Sequence, residues 1–312
     1  MPSSAVRSFT DPDDYAATIR AAQVEATVTG RGEFAAKLTQ IDFHRLWIQR
    51  FSSNLPPILD VALITGRAIV AFRTASGPGL LARGLELRPT NILQHSLADS
   101  FYQRSSESGS FETMSLPVED MVSVGEVLAG VDLTPPPDAM LIAPPPAALT
   151  RLQRLHAAAG HLAEDAPEIL AHPEAARGLE QVLIAAIVDC LASREGRDNS
   201  FAQMQHAIVM RRFRRVVEEN PKESLYIPQI CQVIRVSQRT LRVCCQEHLG
   251  MAPKRYLLLR RMGLVRRALR HAAPDAASVT DIATRFGFWQ LGRFAVAYQS
   301  LFGEAPSATL RR

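Results

Sequence analysis

The sequence predicts an α+β fold with a β-rich N-terminal part and an all-α C-terminal part. Turn-forming residues interrupt residues 34–142 about every ten positions, a spacing typical of short strands. The prolines at 135–137 and 144–146 fit neither helix interiors nor central strands, so they mark the end of this region. From residue 147 onward, apolar residues recur at helical spacing, which predicts amphipathic helices.

Short apolar or alternating runs in the N-terminal part predict individual strands. Residues 43–51 place apolar side chains alternately on two faces, as a strand does. The Gly-Pro-Gly sequence at residues 77–79 predicts a turn after a strand over residues 68–73. The other predicted strands cover residues 61–65, 84–87, 92–94, 111–116 and 121–124.

Two helices and a linker are predicted between residues 146 and 200. Leucine and alanine side chains line one helical face in residues 147–163 and again in residues 175–191. Two interpretations stay open, because such a pair either covers the sheet or forms a seam between two copies of the chain. Residues 193–200 are polar and lack an apolar anchor, which predicts the linker. The predicted domains are therefore residues 1–145, 146–200 and 201–312.

The region after residue 225 has the pattern of a helix-turn-helix. An apolar face over residues 227–234 predicts a support helix, and Ser237 is suited to cap the helix that follows. The second helix covers residues 237–250 and buries Leu241, Leu249 and one of Cys244 or Cys245. Its outward face, which reaches base edges in such motifs, consists of Gln238, Arg239, Arg242, Val243 and Gln246.

The same pattern returns about fifty residues later. A support helix begins near residue 279, Gly287 and Phe288 form the turn, and residues 289–302 form a second recognition helix. The endings HLGMAP and LFGEAP share the glycine and the alanine-proline pair, which reveals an internal repeat. Two interpretations of Trp289 stay open, because its side chain fits either an apolar anchor in the core or a contact to DNA. The outward face of this helix is predicted to carry Trp289, Gln290, Arg293 and Val296.

A continuous helix over residues 253–273 is predicted to join the two units. Its apolar residues step by three and four, and its arginines are expected to lie largely on the wetter faces. A rigid spacer would let two recognition helices enter successive major grooves about 34 Å apart. The arginines in question are Arg255, Arg260, Arg266, Arg267 and Arg270.

Charge is divided unevenly along the 312 residues, whose net charge is +4. Residues 206–312 hold 19 Lys and Arg against 7 Asp and Glu, while residues 1–205 hold 16 against 24. A segment at +12 gains free energy from counterion release when it binds a line of phosphates. The split therefore favours a nucleic-acid partner for the C-terminal part.

Other features of the sequence narrow the class of protein. No window approaches the roughly 18 apolar residues of a membrane span, and the acidic N-terminus does not resemble a secretory signal, so a cytoplasmic protein is expected. The histidines form no ligand pair at helical or strand spacing, so we expect no metal and no cofactor. Reduced thiols are expected at the four cysteines, Cys190, Cys231, Cys244 and Cys245.

Residues 236–257 (VSQRTLRVCCQEHLGMAPKRYL) and 279–312 resemble the DNA-binding domain of the AraC/XylS family of bacterial transcription regulators. The segment FWQLGRFAVAY is also similar to the corresponding segment of regulators of the ethanolamine-utilisation kind. The resemblance implies a cupin-like sensor domain in the N-terminal part. It places base contacts on Arg239, Arg242 and Val243 in the first unit, and on Leu291, Gly292 and Val296 in the second, beside Gln290 and Arg293.

The sequence departs from the family pattern at several of these positions. At the positions of Val243 and Val296, many relatives have a polar residue that contacts DNA bases. Gly292 has no side chain that could make such a contact. Arg235 replaces a small residue common in the first turn. We therefore expect the second unit to contact mostly the phosphate backbone and to recognise the shape of the DNA more than its bases.

The resemblance implies a sequence-specific DNA-binding regulator that is not an enzyme. Activation in response to a small-molecule effector is expected, with double-stranded DNA, RNA polymerase and a second copy of the chain as partners. One alternative is a ligand-independent regulator whose N-terminal part only dimerises. The other is a cupin-type enzyme localised by a DNA-binding tail.

Overall fold

Two antiparallel sheets enclose a cavity in the N-terminal part, and helices form the rest of the chain. This computed structural model describes residues 2–311 except 56, 74–78, 98, 106–108, 193–195, 198–200, 222–224 and 274–276. The strands are β1 (Ser3–Phe9), β2 (Ala22–Val28), β3 (Ala36–Asp42), β4 (Trp47–Ser53), β5 (Pro57–Leu63), β6 (Arg67–Phe72), β7 (Leu80–Ala82), β8 (Leu85–Leu87), β9 (Ile92–Gln94), β10 (Ser100–Ser105), β11 (Gly109–Pro117), β12 (Met140–Ile142) and β13 (Gly196–Arg197).

The helices lie mainly after the sheets. The N-terminal part holds α1 (Pro12–Thr18) and α2 (Val118–Ala129), followed by α3 (Pro146–Asp165), α4 (Pro167–Ala171) and α5 (Pro173–Ala192). The C-terminal helices are α6 (Phe201–Glu219), α7 (Ile227–Ile234), α8 (Gln238–Leu249), α9 (Pro253–Arg270), α10 (Val279–Arg285), α11 (Leu291–Phe302) and α12 (Pro306–Leu310).

The α+β class is confirmed, with a β-rich part, a helical pair and two helical units joined by the long helix α9. One sheet has the strand order β1-β3-β4-β11-β6-β9-β12-β13, and the other has the order β2-β5-β10-β7-β8. The exact domain boundaries stay a prediction. Of the expected linker at 193–200, only residues 196 and 197 lie within the described part, where they pair with β12.

Two predicted strands are wrong. Residues 43–51 do not form one strand, because β3 and β4 meet in a tight turn closed by the Phe43 amide donating to the Leu46 carbonyl at 3.0 Å. Residues 121–124 lie in α2, not in a strand. Glu119 and Asp120 occupy the first turn of that helix, where the positive end of the helix dipole favours carboxylates. Met121 and Val124, three positions apart, face the core as a helical pair.

The sequence did not predict several elements of the N-terminal part, and one predicted turn lies mostly outside the described residues. Before residue 34 the chain forms β1, α1 and β2, for which no element was predicted. Asp11 caps α1 by accepting from the backbone amides of Asp13 and Asp14 at 2.9 and 3.1 Å. In the predicted turn at 77–79, only Gly79 is among the described residues.

Helices α3 and α5 cover the outer face of the eight-stranded sheet. Their buried residues, among them Leu152 and Ile187, share one apolar core with sheet residues such as Ile48 and Val70. Glu180 of α5 accepts hydrogen bonds from the Arg45 and Leu46 amides at 2.8 and 2.9 Å, which fixes the helix against the β3–β4 turn. These contacts support the sheet-covering interpretation of the helical pair. A seam between two copies stays a prediction.

Each face of the five-stranded sheet has a different neighbour. Leu59, Val61 and Phe101 point into a small cavity that lies between the two sheets and is open to solvent. Ile58 and Tyr102, one position along on the same strands, belong to the apolar core of the C-terminal helices. Because successive strand residues face opposite sides, this sheet forms a wall common to the cavity and the C-terminal part. We call strands β2, β5 and β10 the shared wall.

Two kinds of feature are absent from the described residues. No helix there has a stretch long and apolar enough to cross a membrane. No group of three or more His, Cys, Asp or Glu side chains there is arranged to hold a metal ion.

Candidate DNA-binding surface

The first helix-turn-helix unit consists of α7 and α8. Arg235 ends α7 in the left-handed conformation (φ 57°), a geometry that most residues adopt only at some cost. The Ser237 hydroxyl caps α8 by accepting from the Thr240 amide at 3.0 Å. Gly250 ends the helix at φ 70°, where glycine carries no Cβ penalty. The predicted helix and both of its caps are therefore confirmed.

One face of α8 is buried and the other is open. Leu241, Cys244, Cys245 and Leu249 are buried, so both cysteines face the core where the sequence predicted one. Burial raises the pKa of the Cys244 thiol to about 11, which keeps it neutral. All five residues predicted on the outer face are exposed, namely Gln238, Arg239, Arg242, Val243 and Gln246.

Arg239 and Arg242 are available for an external partner. No ion pair to either residue occurs within the described ranges, although other arginines of the C-terminal part are paired. They lie in the first two turns of α8, the end of a recognition helix that approaches bases. A guanidinium at this place is able to donate two hydrogen bonds to guanine O6 and N7.

The second unit consists of α10 and α11. The Ser278 hydroxyl caps α10 by accepting from the Asp281 amide at 3.0 Å, and Gly287 turns the chain at φ 76°. Helix α11 begins at Leu291, two residues later than predicted. Phe294 and Tyr298 are buried as expected, and the Tyr298 hydroxyl donates to Thr309 at 2.9 Å.

The outer face of the second unit is more apolar than that of the first. Trp289 precedes α11 and is 78% exposed, so the core-anchor interpretation of this residue is wrong. Val296 is 71% exposed, and Gln290 and Arg293 are exposed beside it. At Gly292 an added Cβ would meet no atom within 4 Å. This surface has room for DNA but few groups that read base edges.

Helix α9 is continuous, as predicted, but its arginines do not all lie on wet faces. Arg260 and Arg266 are buried, and Arg267 is half-buried. The expectation for these three is wrong because acidic side chains from the N-terminal part lie against this helix and supply the counter-charges. Arg255 and Arg270 are exposed, as expected.

Ion pairs between α9 and the first 25 residues join the two parts of the chain. Arg266 pairs with Asp11, and Arg270 contacts the same carboxylate at 2.5 Å. Arg260 donates to Glu25 at 3.0 Å. Two further pairs are Arg267 with Asp13 at 2.5 Å and Arg270 with Asp14 at 3.1 Å.

The Asp11 carboxylate is the most enclosed acid of this set. Burial alone would raise its pKa, but the charge of Arg266, the Asp14 amide and the charge of Arg270 together hold the pKa of Asp11 below its usual value. The acid is therefore ionised at neutral pH and neutralises two arginines.

A second contact between the two parts lies on α6. Arg214 pairs with Asp60 of β5 and with Glu218 at 2.7 Å, and its side chain is largely buried between them. Among the described residues, at least five arginines of the C-terminal part thus have acidic partners in the N-terminal part. The sequence did offer a signal for this interface, since an acidic DPDD segment occurs in the same chain as the arginine-rich α9.

Comparison with known proteins identifies the C-terminal part. Residues 230–312 match a family described as a helix-turn-helix domain. The "XylDLEGF operon transcriptional activator" of Pseudomonas putida is 39% identical over 103 residues, 32% of this chain and 32% of that protein. The "Probable thc operon regulatory protein" of Rhodococcus erythropolis is 33% identical over 150 residues, 47% of this chain and 45% of that protein.

A solved structure titled "AraC-like transcriptional activator CuxR" covers 89% of this chain and 99% of its own, with 16% identity and a TM-score of 0.42. The match to the first curated relatives spans about a third of their length, and it falls on the part of the chain that carries α7 to α12. These relatives are named as transcription regulators and not as enzymes. Together with the two capped helix-turn-helix units, the matches to this family and to the curated relatives show that the C-terminal part of the chain carries a helix-turn-helix domain of the AraC type.

Proposed function

We propose that the whole protein is a sequence-specific transcription regulator, an activator that reads its site mainly through α8. The observation that carries this proposal is the exposed pair Arg239 and Arg242 at the N-terminal end of that helix, without intramolecular partners among the described residues. The named activities of the relatives agree with it.

Replacing Arg239 or Arg242 by alanine is expected to cost about 1 to 3 kcal/mol of binding free energy on the cognate site and to relax base preference there. The reason is the loss of a bidentate contact to guanine. Affinities of the full chain for the site and for single-base variants, measured at one salt concentration, check this. Arg154→Ala is the matched control, because Arg154 is exposed on α3, away from the DNA-binding domain. Unchanged affinity and unchanged preference in both α8 variants would refute the proposal.

The two units are expected to differ in how strictly they read sequence. Trp289 and Val296 present apolar surface where the first unit presents arginine, and Gly292 presents none. Base substitutions under the second unit should therefore cost less than those under the first. A systematic scan of single base changes across the bound site measures this difference. Equal penalties in both half-sites would show that the second unit reads bases as well.

We further propose that the cavity between the sheets holds a small-molecule effector. Apolar side chains line most of it, and Gln49, His95 and Gln103 add a few polar groups, a composition typical of ligand pockets. The effector would act by binding two arrangements of the protein with different affinity.

Thermal-shift screening of the full chain against small metabolites tests the effector. A ligand that binds only the folded protein raises the melting temperature by mass action. If no metabolite raises it while DNA binding persists, the ligand-independent alternative is favoured. Metal analysis of the purified protein addresses the cupin-type enzyme alternative.

The remaining partners follow from this function. A second copy of the chain, meeting through the N-terminal part, and RNA polymerase are proposed partners, and the cytoplasm is the proposed location. Mapping of bound DNA across the genome would return the site, its symmetry and the neighbouring genes. A two-fold symmetric site would support a dimer.

A further inference from the structure

The shared wall has one face in the cavity and the other on the DNA-binding domain. Phe101 and Gln103 of β10 line the cavity, opposite Val61 and Leu59 of β5 in the strand register. Tyr102, between them, points the other way. This alternation places two different environments one residue apart along a single strand.

The outer face of the wall packs on the recognition unit itself. Tyr102 is fully buried, and its ring meets that of Tyr256, at the start of α9, edge to face at 5.5 Å between centroids. Ile58 of β5 lies in the same core as Leu241 and Cys245 of α8. The wall therefore contributes directly to the core that supports the recognition helix.

Two close approaches fix the C-terminal end of α8 against the five-stranded sheet. A Cβ on Gly250, which ends α8, would lie 2.8 Å from the Cζ atom of Arg104 of β10. A Cβ on Gly84, in the β7–β8 turn, would lie 2.9 Å from Nε2 of His248 on α8. Both distances are shorter than real Cβ contacts, so these glycines allow backbone and side chain to meet without a gap.

We infer that the shared wall couples occupancy of the cavity to the first recognition helix, with Phe101 as the positioning residue on the cavity side and Tyr102 as the one on the α8 side. The inference deepens the proposed function and rests on it for its biological meaning. A side chain displaced in the cavity moves β10, and on its other face Tyr102 of β10 packs into the core that α6 and α8 share. Close-packed interiors transmit such shifts because they rearrange between discrete packings and do not deform gradually.

The opposite side of the cavity provides the contrast. Phe111 and Thr113 of β11 also line the cavity, but β11 belongs to the eight-stranded sheet, between β4 and β6. Its neighbours lead towards α2, α3 and α5 and not towards the DNA-binding domain. Residues of equal chemistry thus line both sides, and only one side is expected to affect α8.

The test compares Phe101→Leu with Phe111→Leu in the full chain. Hydrogen exchange of the backbone amides of α8 is measured, with α11 as the internal reference for global unfolding. We expect Phe101→Leu to change exchange in α8 by on the order of fivefold or more while α11 stays within about twofold. Phe111→Leu is expected to leave the ratio of the two helices unchanged. Equal effects of both variants, or no effect of Phe101→Leu, would overturn the inference.

A second pair of variants, with smaller changes in side-chain volume, covers the case in which the phenylalanine variants do not fold. Leu59→Val in the shared wall and Ile69→Val in the opposite sheet each remove one methylene or methyl group from a buried, cavity-lining side chain. The same contrast is expected, with a smaller amplitude. If Ile69→Val perturbs α8 as much as Leu59→Val does, the coupling does not run through the shared wall.

Affinity for the cognate DNA is the second readout. Phe101→Leu is expected to change it by on the order of fivefold, and Phe111→Leu by less than about twofold. The two readouts separate the inference from the proposed function. Wild-type protein that binds no duplex refutes the function, whereas the hydrogen-exchange contrast decides the coupling without DNA.

Discussion

Asp11→Ala is expected to lower the free energy of unfolding by about 3 kcal/mol, because it leaves the buried Arg266 with only the more distant carboxylate of Glu304, at 3.6 Å. The Asp11 side chain is 7% exposed and that of Arg266 is 10% exposed, so water does not replace the lost carboxylate readily. Loss of the cap on α1 adds about 0.5 to 2 kcal/mol. Denaturant unfolding at neutral pH, followed by two spectroscopic probes, measures the sum.

Two further variants separate the causes. Asp11→Asn keeps a side-chain oxygen for the cap but removes the charge, so it should show most of the loss. Asp14→Ala is the exposed control, because its carboxylate pairs with Arg270 at 61% exposure, where an ion pair is worth about 1 kcal/mol or less. If Asp11→Ala and Asp14→Ala cost the same, the enclosed pair does not hold the two parts together.

Acid is expected to destabilise the protein steeply between pH 6.5 and 4. Burial, with nearby arginines, lowers the pKa of His95 and His156 to about 3, and burial with His206 and Arg83 lowers that of His248 to about 4. The unfolded chain takes up these protons near pH 6.5, while the folded chain does not. Stability is therefore present above that pH and lost as the pH falls.

One carboxylic acid opposes this trend. Burial raises the pKa of Asp60 to about 6 against the charge of Arg214, so the folded chain takes up one proton before the unfolded chain does. Three histidines against one acid leave a net difference of about two protons, or about 3 kcal/mol per pH unit near pH 5. Below pH 4 the lowered pKa of Asp11 adds a further loss.

The slope of unfolding free energy against pH measures this balance. His156→Leu removes one buried histidine, which packs edge-on against Phe72, and should reduce the slope by about 1.4 kcal/mol per pH unit. His44→Leu, at an exposed position, should leave it unchanged. A slope that is the same in all three proteins would mean that His156 is not held neutral.

Local signals account for what the sequence predicted well. The cap at Ser237, the apolar face of α8 and the glycine at 250 all lie within fourteen consecutive residues, so no distant contact was needed to place that helix. The exposed outer face of α8 followed from the same periodicity, and its contact with DNA stays a prediction. Residues 121–124 failed because a short apolar run fits a strand and a buried helix equally well.

Long-range pairing accounts for what the sequence missed. The counter-charges of Arg260, Arg266 and Arg267 lie more than 230 positions earlier in the chain, and helical periodicity alone places arginines in water. Trp289 was ambiguous for a related reason, since its exposure depends on where α11 begins. The partners of the α9 arginines and the exposure of Trp289 both depend on which surfaces pack together, and local sequence patterns do not specify that.

The acidic partners of α9 and α6 have a consequence for truncated forms of this protein. A fragment beginning near residue 201 would uncover Arg214, Arg260, Arg266, Arg267 and Arg270, which the intact chain neutralises. Each newly bared guanidinium attracts any polyanion, heparin included, and steepens the dependence of affinity on salt. In the intact chain these guanidinium groups already have carboxylate partners, so fewer positive charges face an external polyanion.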